Sequence, residues 1–292
     1  MPPSPPPLLR LDAATKRFPG EPTVLADVSF TVAAGEIVTL IGPSGCGKST
    51  ILRLAAGLET VDTGCVEAPA HGVGFVFQDA TLMPWASALD NVALPLRLSG
   101  LSKAEARAHA RLALAGVGLG EAADKRPREL SGGMRMRVAV ARALVGDPTL
   151  VLMDEPFAAL DEITRFRLVD DLLALRDLRR LGILFVTHSI FEAVSLADRI
   201  LVMSADPGRI AEEIVVPIDL SSAATKSRRP EITLHQLRVF WTVAHAETLT
   251  KAAKQLGLAQ PSLSQQLSKL ESISGARLFD RRSNQLKLTE AG

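Results

Sequence analysis

Three glycines close around one lysine in "GPSGCGKST" (Gly42–Thr50). The stretch fits G-x-x-x-x-G-K-[ST] with Gly42, Gly47, Lys48 and Ser49. Glycines at these places let the loop from Pro43 to Cys46 curl around a phosphate, with the backbone N–H groups of Ser44, Gly45 and Cys46 turned inward. A helix opening at Lys48, Ser49 and Thr50 adds its positive end. Lys48 is expected to reach the β/γ-phosphates of a nucleotide, and Ser49 to ligate Mg²⁺. A second stretch, "LVLMDEP" (Leu150–Pro156), sets two acids after an apolar run. Asp154 is placed to hold Mg²⁺ through water, and Glu155 to polarise an attacking water as general base.

Parallel strands are the natural carriers of such groups. "EIVTLIG" (Glu36–Gly42), "TLVLMDE" (Thr149–Glu155), "GILFVTH" (Gly182–His188) and "RILVMS" (Arg199–Ser204) are short apolar runs, too short for buried helices. They alternate with helical pattern, which implies parallel strands covered on both faces. Ligands bind at the carboxyl ends of such strands. Between Leu89 and Leu130 the texture turns alanine-rich and helical. "LSKAEARAHARLALAGVGL" (Leu101–Leu119) opens with Ser102 and Glu105 spaced as a capping box. This reads as a helical insertion between strands.

Composition bounds the rest. The chain has 292 residues, 47% apolar and 22% charged, as a well-filled protein requires. No apolar run approaches the ~20 residues that span a bilayer. The proline-rich start lacks the pattern of a secretory signal. Two cysteines, Cys46 and Cys65, build neither a disulfide framework nor a metal cluster, which fits a reducing, cytosolic compartment. Net charge is +1, but residues 1–225 carry −5 and residues 226–292 carry +6. A basic tail on a mildly acidic body points to two units with different partners.

The ordered set of motifs resembles the ATP-binding cassette ATPases, from about Leu8 to Val216. "LSGG" holds Leu130, Ser131, Gly132 and Gly133 and looks like the family signature. Phe18 in "TKRFPG" lies where the family stacks an aromatic on adenine. Gln78 in "FVFQD" matches the Q-loop glutamine that contacts Mg²⁺ and senses a membrane partner. Asp161 in "AALD" matches the D-loop, and His188 in "FVTHS" the switch histidine that holds the γ-phosphate. The resemblance implies an α/β P-loop NTPase cassette with a helical subdomain. It implies a homodimer of cassettes, closed by ATP, with Ser131–Gly133 facing the opposite subunit's nucleotide. "LMPWASALDNVALPL" (Leu82–Leu96), "MDEPFAALDEITR" (Met153–Arg165) and "EAVSLADRILVMSADPGRI" (Glu192–Ile210) look like the nitrate/sulfonate/taurine import group. That implies membrane permease subunits, a solute-binding protein, and a peripheral place on the cytoplasmic face of the cell membrane. Three residues depart from the family pattern. Met136 stands where glutamine is usual, Ala158 where Gly or Ser is usual, and Ser189 where aspartate is usual.

After residues 8–217 the pattern breaks. Residues 218–230, within "DLSSAATKSRRP" (Asp219–Pro230), read as a linker. Residues 231–292 resemble the winged helix-turn-helix of LysR-type regulators. A first helix carries Ala252, Ala253 and Leu256, and Gly257 makes the turn. A second helix from about Pro261 buries Leu263, Leu267 and Leu270 and is the one expected in the major groove. Gln260, Ser262, Ser264 and Gln265 are candidates for base edges, and Arg281 and Arg282 for phosphates. LysR-type regulators continue into a dimerising helix and an effector domain, and the sequence stops before both. The alternatives for the tail are a DNA-binding module, a vestige, or an artefact of sequencing or of the gene boundary. For the whole chain three functions follow: the ATPase of a nitrate/sulfonate/taurine-type importer, a transcription regulator whose signal is ATP state, or a soluble cassette ATPase with no part in transport.

Overall fold

The computed structural model describes residues 6–70, 72–158, 160 and 162–216, and beyond them 243, 251–253, 262–268, 279–280 and 287–288. The chain forms two compact units, Met1–Ile218 and Asp219–Gly292.

In the first unit a six-stranded sheet has the order β5-β6-β7-β3-β8-β9. Its strands are β3 (Ile37–Ile41), β5 (Val73–Val76), β6 (Leu150–Asp154), β7 (Gly182–Val186), β8 (Arg199–Ser204) and β9 (Arg209–Val215). The central β3, β6 and β7 are buried along almost their whole length, as strands covered on both faces must be. All pairings from β5 to β8 are parallel, but β9 runs antiparallel on β8. The four apolar runs read as parallel strands are β3, β6, β7 and β8, and they do pair in parallel; a second sheet lies outside that reading. β1 (Leu9–Arg17), β2 (Thr23–Val32) and β4 (Thr63–Glu67) form an antiparallel sheet, order β2-β1-β4. Its register shifts around Ala13 and Asp27, both at positive φ, hide the period-two alternation that marks a strand.

Two cores flank the main sheet. One joins the antiparallel sheet and α1 (Lys48–Ala55) to β3, with Leu9, Leu25, Leu40 and Leu52 fully buried. The other packs α4 (Gly132–Leu144) and α5 (Glu162–Arg179) on the opposite side, around Met153, Phe157 and Phe185. A third cluster belongs to the helical insertion. There α2 (Ala88–Leu98) and α3 (Lys103–Gly116) pack on α4. The capping box at Ser102 and Glu105 is formed as expected. α6 (Ile190–Leu196) follows β7.

In the second unit, residues 251–253 and 262–268 are helical, with Ala252, Ala253, Leu263 and Leu267 buried. Phe279–Asp280 and Lys287–Leu288 pair antiparallel, in the stretch where a wing is expected.

Candidate functional site

The glycine loop joins β3 to α1, so the carboxyl end of a central strand runs straight into a helix N-terminus. Gly47 is the N-cap of α1 at φ +94°. That is the left-handed region, and a side chain there would also strike Leu25. Pro43, Ser44 and Gly45 are exposed, Gly42, Ser49 and Thr50 half-buried, and Cys46 buried. Lys48 is 8% exposed, and its ammonium donates to the carbonyls of Gly42 (2.9 Å) and Pro43 (2.8 Å). A buried cation held by neutral loop groups is poised for an anion.

Asp154 ends β6 and is 8% exposed. Burial pushes its carboxyl above the ordinary 3.8; a hydrogen bond with Ser49 and the charges of Arg53 and Lys48 pull it back in part. A buried carboxylate beside a hydroxyl is an oxygen donor set that suits a small hard cation. Asp154 and Ser49 are thus the residues that fit Mg²⁺. When bound, that ion neutralises charge on nucleotide phosphates.

Glu155 follows at φ +47°, an uncommon conformation for a non-glycine residue. Its N–H donates to the carbonyl of Val186 at 2.9 Å, which pins the end of β6 to the end of β7. That places Glu155 beside the residue after Thr187. His188 Nδ1 lies 3.0 Å from Glu155 Oε2. The imidazole is 68% exposed and the carboxylate 20%. A carboxylate and an imidazole in hydrogen-bond contact can hold and pass one proton.

Other predicted residues lie where a ligand or another chain could meet them. Ser131 and Gly132 are exposed and Gly133 is half-buried. Ser131 caps α4, its hydroxyl accepting from Met134 N at 3.2 Å. Gln78 is exposed just past β5. Phe18 is half-buried after β1, with Lys16 Nζ 5.2 Å from its ring centre. Asp161, Gln260, Arg281 and Arg282 lie outside the described residues. On the helix 262–268, Ser262 and Gln265 are exposed and Ser264 half-buried.

The departures from the family pattern have local accounts. Met136 is 3% exposed within the core of Val76, Met153 and Phe157, where an apolar side chain fits. Ser189 caps α6, its hydroxyl accepting from Glu192 N at 3.3 Å, a role aspartate shares. Ala158 is exposed, and nothing in the structure explains it.

Two features escaped the reading of the sequence. Arg142 on α4 donates to the carbonyls of Ala80 (3.1 Å) and Thr81 (3.0 Å), tying the helix begun by Ser131 to the turn after Gln78. Glu192 on α6 is 3% exposed and accepts from the Thr187 hydroxyl at 2.5 Å. A lone acid in the apolar "IFEAVSLA" was the one available signal.

A glycine loop between strand and helix, a buried acid at the next strand and a helical insertion define a P-loop ATPase cassette. The comparisons with known proteins agree. Residues 25–158 match the ABC transporter family. A taurine import ATP-binding protein of Pseudomonas aeruginosa is 47% identical over 205 residues, covering 68% of this chain and 77% of the relative. An aliphatic sulfonates import ATP-binding protein of Xanthomonas axonopodis is 44% identical over 249 residues, 80% of this chain and 98% of the relative. A dimeric bacterial ABC transporter cassette superposes with a TM-score of 0.67 at 32% identity, over 72% of this chain and 99% of that one. This chain belongs to the ABC transporter family and is an ABC-type ATPase. Residues 234–292 match a second family, the bacterial regulatory helix-turn-helix proteins of the lysR family.

Proposed function

We propose that this chain is the ATP-hydrolysing subunit of an importer for taurine, aliphatic sulfonates or a chemically similar anion. It works as a homodimer of cassettes on the cytoplasmic face of the cell membrane, beneath permease subunits fed by a solute-binding protein. Support for the solute class comes from the taurine and sulfonate import relatives. Among the described residues no helix is long and apolar enough to cross a membrane. The place of the solute path on other subunits is supported by the relatives, which are import ATP-binding proteins. Support for the dimer comes from the dimeric cassettes of like fold and from the exposed Ser131 turn.

In this reading Lys48 and the loop N–H groups bind the β/γ-phosphates. Ser49, Asp154 and Gln78 surround Mg²⁺, and Phe18 stacks on adenine. Glu155 takes the proton of the attacking water, and His188 orients Glu155 and the γ-phosphate. Ser131, Gly132, Gly133 and Asp161 meet the nucleotide of the partner cassette. The observation that carries the reading is the 3.0 Å contact of Glu155 with His188 beside the buried Asp154. The test is reconstitution of the purified chain with its permease in vesicles. Taurine or an alkanesulfonate, delivered with the binding protein, should stimulate ATP hydrolysis several-fold. Hydrolysis indifferent to every sulfonate refutes the solute class.

A second reading has its own support, the lysR-family match of residues 234–292. There the tail reads DNA through Gln260, Ser262, Ser264 and Gln265, with Arg281 and Arg282 on phosphates. ATP-driven pairing of cassettes brings two tails together and raises avidity.

A further inference from the structure

His188 has little packing to hold it, since its side chain is mostly exposed. Its position is set by its neighbours, and both lead to one buried group. Thr187 is 2% exposed, and its N–H donates at 3.3 Å to the carbonyl of Leu40, in the strand that leads into the glycine loop. Ser189 N donates to the Thr187 hydroxyl at 3.0 Å. That hydroxyl donates in turn to Glu192 Oε2 at 2.5 Å, a short charge-assisted bond. Glu192 N closes the ring on the Ser189 hydroxyl.

The other carboxylate oxygen faces a different element. Glu192 Oε1 lies 3.4 Å from Nε of Arg165 on α5. That nitrogen makes no aligned hydrogen bond, so the contact is an attraction of charges. Arg165 Nη2 donates to the carbonyl of Leu160 at 3.2 Å, at the end of the turn that begins with Glu155. A carboxylate buried this far is costly unless both oxygens are matched. Here the matching partners are the switch segment on one side and the segment after the base on the other.

We propose that Glu192 is a positioning residue for hydrolysis. It clamps Thr187 and Ser189 so that the imidazole between them meets Glu155. Through Arg165 it ties that placement to the Leu160 turn. The proposal rests on the reading of Glu155 and His188 as the hydrolytic pair. It does not make Glu192 touch nucleotide.

The test uses the full chain and compares Thr187→Val, Thr187→Ser and Glu192→Gln with His188→Ala. Steady-state ATPase kinetics and thermal unfolding are measured for each. Valine keeps the shape of threonine and deletes the hydroxyl; serine keeps the hydroxyl. Expected are a fall in kcat of about 10- to 100-fold for Thr187→Val, KM within about twofold, and near-native kcat for Thr187→Ser. Glu192→Gln should lower kcat likewise, and its loss should not add to that of Arg165→Met. Native kcat in Thr187→Val, with His188→Ala inactive, overturns the clamp and leaves the catalytic pair standing. Equal losses in Thr187→Val and Thr187→Ser, each tracking lowered stability, also overturn it, because a purely structural role behaves so. Native hydrolysis in His188→Ala removes the reading on which the clamp rests.

Discussion

His188 Nδ1 sits 3.0 Å from Glu155 Oε2 across the ends of two adjacent parallel strands, β7 and β6. The backbone bond from Glu155 N to the Val186 carbonyl brings the strand ends together. The contact fixes which way the carboxylate points. His188→Ala should therefore keep ATP affinity and lower hydrolysis about 10²-fold or more. Equilibrium ATP binding and phosphate release, measured side by side, check this. A parallel loss of binding would mean that His188 acts mainly by binding ATP and not by orienting Glu155.

Much of this site was legible because its motifs sit at strand ends. The glycine loop, Asp154, Glu155 and His188 each close an apolar run, and the run names the strand. The capping box at Ser102 was legible for the same local reason. The antiparallel sheet was not, because bulges near Ala13 and Asp27 break its alternation. Arg142 and Glu192 were not, because their partners lie 62 and 27 residues away in chain for Ala80 and Arg165, and only the fold joins them.

Dimerisation is the next expectation. Ser131 is exposed at the start of α4, and an arginine there would block closure of one cassette on another. In a Glu155→Gln background, ATP should convert monomer to dimer in sedimentation. Adding Ser131→Arg should abolish the dimer and leave monomer nucleotide binding intact. A dimer that persists in the double variant would place the signature elsewhere.

Asp154 makes a prediction in pH. Burial raises its folded pKa above 3.8. The folded protein then keeps a proton that the unfolded chain releases, so this group's contribution falls as pH rises from 3.8 through the raised value. Asp154→Asn cannot titrate. Without nucleotide or Mg²⁺ it should melt higher than the native chain at neutral pH, and the advantage should vanish below pH 3.8. Mg²⁺ with ATP should reverse the order, because only the carboxylate gains a cation. An advantage independent of pH would mean that the charge is not the cause.

The basic tail should bind DNA weakly when alone. A single module reads one half-site, and non-specific binding of that kind has a Kd of about 10⁻⁴–10⁻⁶ M that weakens steeply with salt. The intact Glu155→Gln protein should bind duplex DNA more tightly with ATP than without. Equal affinity in both states uncouples the tail from the cassette. No retention at low salt in either state makes the tail a vestige.

Phosphate release by Glu155→Gln tests the central claim most directly. Glu155 stands after the buried Asp154, in contact with His188, where a base belongs. Glutamine keeps the shape and removes the base. The predicted result is native ATP binding with steady-state hydrolysis reduced about 10²- to 10⁴-fold. Release at the native rate would contradict it and remove Glu155 from the chemistry.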